Sequence, residues 1–180
     1  MNCWKSFNLS KDLGSVRLVI LSLFGMICYF VIFNLAFTDI FGPLKIDNFN
    51  IIMFLLCIFL VYPVHKFLHG VPLWVVRRRA KLTWDRSSFI PKLFCNIFGA
   101  IPKRLYLLVI LFPFLFLTIT LVILTLFYPA GIHYYSVTGS INFGLSVSDF
   151  LSFIYLLSAP RHSIIEEDQN HCRVLIKQYI

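Results

Sequence analysis

Residues Leu105–Phe127, LYLLVILFPFLFLTITLVILTLF, decide the class of this protein. The stretch holds no charged side chain, and a helix of this length at about 1.5 Å per residue matches a hydrocarbon core roughly 30 Å thick. It reads as a membrane-spanning helix. Its one irregularity is Pro113, which a lipid-buried helix accepts as a kink. The rest of the chain agrees with this. Of 180 residues, 59% are hydrophobic, 17% aromatic and only 13% charged, and the mean hydropathy is +0.83. So much apolar surface excludes a disordered chain and an ordinary water-soluble domain.

Working outward, residues 18–37 form a second uncharged run. Lys5, Lys11 and Arg17 precede it as in a signal peptide, but the run is too long and no small-x-small cleavage site follows, so it is expected to remain as an anchor. A third span reads from 51 to 73, although it is free of polar breaks only to Val64 and then carries His65, Lys66 and His69. The fourth, 136–157, is the least apolar and contains Asn142 and Asp149. Its Ser140, Gly144, Ser148 and Ser152 recur every four residues, a stripe that admits a close neighbouring helix. The expected fold is therefore an all-α membrane protein, a single membrane domain with four transmembrane helices.

Charge sets the expected orientation. The loop 74–104 holds eight basic residues against Asp85, net +7, which places it in the cytoplasm by the positive-inside rule. Both termini then lie inside, in a cell membrane crossed four times. Arg77, Arg78, Arg79 and Lys81 are assigned to anionic headgroups of the bilayer. No nucleic-acid partner is expected, because no aromatic platform or binding fold accompanies the basic residues. The loop contains Val75, Val76, Leu82, Trp84, Phe89 and Ile90, which suit a small β-hairpin. In the tail 158–180, residues 163–165 and the alternating Cys172, Val174 and Ile176 suit a second, with its turn at 166–170. The five cysteines are odd in number and widely spaced, with no CxxC pair, and are read as reduced thiols.

Ionisable residues inside a membrane are costly and mark functional sites. Here they are His65, Lys66, His69 and Asp149. His65 and His69 are four apart, so both imidazoles leave one helix face. His65 precedes the end of its span by eight residues and Asp149 precedes the end of its own by eight, on the same side, which puts all three at one depth. Two imidazoles and a carboxylate suffice for a catalytic zinc with an open fourth position. His133 falls on the opposite side, and His162 and His171 fall in the tail. Other readings stay open: histidines bonding to headgroups, Lys66 snorkelling to the surface, Lys66 paired with Asp149 in the place of a metal, and Asn142, Ser146 and Asp149 as glue between helices.

The segment Val64-His65-Lys66-Phe67-Leu68-His69-Gly70, the basic loop, the span 105–127 with its central Pro113 and Ser146-x-x-Asp149 resemble a bacterial family of small multi-pass membrane zincin (HExxH) metallopeptidases of unknown function. The resemblance covers roughly residues 50–170, and its logic is similar to that of site-2 proteases. It implies His65 and His69 as zinc ligands, Asp149 as the third, and Lys66 at the position of the general base. A lysine ammonium has no lone pair to take a proton from water. The resemblance therefore points to a degenerate member, a pseudoenzyme that binds a membrane protein or peptide without efficient hydrolysis. The alternatives are an active intramembrane metallopeptidase with an unconventional base and a structural membrane protein with no metal site.

Overall fold

The computed structural model describes residues 2–7, 10–42, 49–78, 80–85, 92–97, 99–168 and 171–176. Its frame is four long helices, α1 (Ser15–Phe41), α2 (Ile51–Val75), α3 (Lys103–Phe127) and α4 (Ile132–Leu157). Each is long and apolar enough to cross a membrane. Large side chains such as Ile20, Phe59 and Phe127 are exposed around the bundle, which is the surface lipid requires of a spanning helix. Helix α4 packs against all three others. Glycines let α1 approach it: a Cβ at Gly139 would lie 2.6 Å from the Tyr29 ring, and one at Gly144 would lie 2.5 Å from Met26. Of the four-residue stripe, Ser140 and Gly144 are buried and Ser148 is exposed.

The ends of α2 follow from local chemistry. Asn50 Oδ1 accepts from the Ile52 and Met53 amides at 2.9 and 3.2 Å, an N-cap that occupies donors the first turn leaves free. At the other end Arg77 has φ 56°, the Arg77 amide donates to Trp74 O and the Arg78 amide to Leu73 O. This is a Schellman closure built on an arginine instead of a glycine. Trp74 and Val75, expected in the loop, are thus the last residues of the helix, and Val76 is its cap.

A small antiparallel sheet closes one end of the bundle. Its order is β1 (Asn2–Phe7), β6 (His171–Ile176), β5 (Ile164–Asp168), β4 (Ile101–Pro102). A separate hairpin pairs β2 (Ala80–Asp85) with β3 (Lys92–Ile97). Phe89 and Ile90, offered for this hairpin, lie outside the described residues. The tail hairpin is tighter than the sequence reading had it: Glu166, Glu167 and Asp168 continue β5 and pair with Arg173, Cys172 and His171. Only Gln169 and Asn170 of the proposed turn remain, and they lie outside the described residues. Strand β1 was not foreseen. It unites the N-terminal segment with the tail, and β4 adds the segment before α3, so all three reach the same end of the bundle. Phe7, Leu73, Ile101, Leu156, Ile165 and Val174 form the apolar core between sheet and helix ends. Among the described residues, Cys3, Cys28, Cys57 and Cys172 form no disulfide.

Candidate metal centre

The two histidines of α2 face inward and are buried, His65 completely. Asp149 of α4 meets both, with Oδ2 3.2 Å from His65 Nε2 and 3.5 Å from His69 Nε2. One donor atom from each of the three lies within 4.8 Å of the others. The side chains that the sequence placed at one depth therefore converge.

The other nitrogen of each ring explains the arrangement. His69 Nδ1 lies 3.0 Å from the main-chain oxygen of Val109 in α3. A carbonyl only accepts, so His69 Nδ1 carries a proton, and this bond turns Nε2 toward Asp149. That carbonyl is available because Pro113, four residues on, has no amide hydrogen to give it. Pro113, read from the sequence only as a tolerated kink, thus leaves free the acceptor that orients His69. His65 Nδ1 lies 2.8 Å from Asn142 Oδ1, and Nδ1–H donating there turns its Nε2 likewise toward Asp149. Both Nε2 atoms thus face the Asp149 carboxylate at contact distance, and a divalent metal bound there would take one donor from each of the three side chains. Asn142 is fully buried, and its Nδ2 finds no acceptor among the described residues. Its burial is better explained by holding His65 than by its own stability.

The donor set fits zinc. Two imidazole nitrogens and a carboxylate oxygen, each ring backed by an acceptor on its far nitrogen, leave a fourth position open. Asp149 retains 17% side-chain exposure, so the site is not sealed.

Lys66 stands apart from this cluster. It is half-buried, and among the described residues no ion pair or hydrogen bond of its ammonium is found, although its charge acts on Asp149. The contact pair proposed for Lys66 and Asp149 is replaced by the two histidine contacts. One residue along a helix is a rotation of about 100°, which moves Lys66 from the inward face of His65 to the flank of α2. Ser146 is buried, but its hydroxyl turns back to Asn142 O at 2.7 Å and takes no part. Gly70 follows His69 where a Cβ would meet the Trp74 indole at 2.9 Å.

Arg77 and Arg78 are exposed just beyond α2, while Arg79 lies outside the described residues and Lys81 is described only as backbone of β2. His133 sits at the far end of α4, and His162 is exposed in the tail. Lys103, counted among the loop's basic residues, is buried instead. Its ammonium donates to Leu157 O at 3.1 Å and to Ala159 O, which satisfies carbonyls at the C-terminus of α4.

A family model described as "putative zincin peptidase" matches residues 58–164, a segment that contains both histidines, Pro113, Asn142 and Asp149. No curated protein and no solved structure matches the chain.

Proposed function

The chain belongs to the putative zincin peptidase family, and from that premise we propose that it is a degenerate member: a multi-pass membrane protein that holds zinc on His65, His69 and Asp149 and binds a membrane protein or peptide with little or no hydrolysis. The observation that carries the reading is the convergence of His65, His69 and Asp149 donor atoms within 4.8 Å of one another, with His69 Nδ1 held by Val109 O so that Nε2 is aimed at the carboxylate. A zinc ion there would act as a Lewis acid toward a carbonyl oxygen in its open position. His65 and His69 would bind it through Nε2, with Asn142 and Val109 O holding the rings and Asp149 neutralising part of the charge. Peptide hydrolysis also needs a group to accept a proton from water. Spans α2, α3 and α4 contain no acid besides Asp149, and Asp149 is engaged by both histidines. Lys66, at the base position, repels protons instead of collecting them.

The protein is assigned to the cell membrane as a single domain, with loop 74–104, both termini and the exposed Arg77 and Arg78 on the cytoplasmic side. The convergence of three segments on one sheet supports their sharing a side. Metal analysis of the full chain purified in mild detergent tests the central point. Stoichiometric zinc is expected in the parent and its loss in His65→Ala, His69→Ala and Asp149→Asn. A parent that stays metal-free when zinc is supplied ends the reading in favour of a structural protein. Cleavage of a membrane-embedded peptide at an ordinary metalloprotease rate favours the active alternative.

A further inference from the structure

The C-terminal end of α2 carries a surface of its own, outside the metal centre. Three contacts hold the Trp74 indole there. Its Nε1 donates to Ala80 O at 3.2 Å, its ring meets Phe67 edge-on with 5.1 Å between centroids, and it lies over Gly70, where a Cβ would come within 2.9 Å of it. Both aromatic side chains nevertheless remain open to the surroundings, Phe67 at 48% and Trp74 at 38% exposure. Arg77 and Arg78 follow directly and are exposed. Among the described residues, Arg77 alone has a positive φ without being glycine. An arginine in this conformation strains the backbone where a glycine would not, and strain of this kind concentrates at ligand-binding positions.

Helix α2 is long and apolar enough to cross a membrane, which puts its end, with a tryptophan and two arginines, at the level of the headgroups. We propose that this corner of α2 binds one anionic phospholipid: Arg77 and Arg78 take its phosphate, and the upper part of one acyl chain lies on the Trp74 and Phe67 rings. Guanidinium groups pair with phosphate oxygens through parallel hydrogen bonds. A zwitterionic lipid fits less well, because its choline cation would sit beside two arginines in a loop with eight basic residues and one acid. The fixed indole separates this site from ordinary lipid-facing surface, since a surface already ordered costs less to bind. His65 and His69 are buried on the inward side of α2 while Phe67 and Trp74 are exposed, so the proposal rests on α2 spanning the bilayer and not on the metal.

Fluorescence of Trp74 reads the contact directly. The full chain with Trp4→Phe and Trp84→Phe, which leaves Trp74 as its single tryptophan, is reconstituted in phosphatidylcholine vesicles. A minor share of the lipid is phosphatidylglycerol brominated near the headgroup end of its acyl chains or, in parallel, phosphatidylcholine brominated in the same way. With that share at about a tenth, a preference of about tenfold for the anionic lipid fills roughly half of the sites. Brominated phosphatidylglycerol should then quench Trp74 several times more than its phosphatidylcholine counterpart. Arg77→Gln combined with Arg78→Gln should bring the two quenchers to equality. Equal quenching in the parent overturns the proposal and leaves this face to bulk lipid, and an excess that survives both substitutions overturns it as well. Quenching by neither lipid would take Trp74 out of the bilayer and overturn the reading of α2 as a span together with the proposal.

Discussion

At the scale of single residues, the site depends on hydrogen bonds made by atoms that never touch a metal. Asn142 accepts from His65 Nδ1, and without that acceptor the ring is free to rotate or change tautomer. Asn142→Ala should therefore weaken zinc binding by about 10- to 100-fold, read by chelator competition, with the helical circular-dichroism signal unchanged. An unaltered affinity would assign Asn142 to helix packing alone. Lys66→Glu reverses the charge at the base position. Zinc affinity should rise, because a repulsive neighbour becomes an attractive one, and slow hydrolysis of a membrane-embedded peptide should appear. No gain in either quantity would show that side chain 66 faces away from the metal. The histidine pair and Asp149 were legible in the sequence, since i, i+4 spacing and distance from a span's end are properties of a helix in a bilayer. The absence of contact between Lys66 and Asp149 was not, because it depends on how α2 is rotated against α4.

At the scale of elements, Pro113 links helix geometry to the site. Pro113→Ala would return an amide hydrogen to Val109 O, which then competes with His69 Nδ1. The expected outcome is a more regular α3 and weaker zinc binding, a combination that a merely destabilising substitution would not produce. The α1–α4 contact gives a second prediction. At Gly139 an added methyl group meets the ring of Tyr29, and at Gly144 it meets Cγ of Met26, close to the α1 backbone. Gly139→Ala and Gly144→Ala should each cost about 1–3 kcal/mol by overpacking. Thermal unfolding in detergent checks this, and unchanged midpoints would mean that α1 shifts as a rigid body.

At the scale of the whole molecule, the sheet at one end fastens three distant parts of the chain, and Lys103 ties α3 to the end of α4. Lys103→Met leaves buried carbonyls without a donor and should lower stability by about 1–3 kcal/mol, with zinc affinity unchanged because the site lies deeper in the bundle. Orientation is tested by labelling single-cysteine variants in intact cells. A cysteine in segment 38–50 should react from outside and one at Arg78 only after permeabilisation. The reverse pattern would invert the assigned topology while leaving the metal site intact.

The sequence by itself determined the four helices, the shared face of His65 and His69, and the common depth of Asp149. Each follows from composition or periodicity within one segment, and lipid imposes length and internal hydrogen bonding on every span. Only the tertiary structure decided that Val109 O, freed by Pro113, receives His69, that Asn142 holds His65, and that Lys66 stands on the flank of its helix. It also decided that β1 pairs with β6, because strands at opposite ends of a chain carry little local signal of their pairing. These choices depend on the rotation and register of elements distant in sequence, and packing across the bundle sets both.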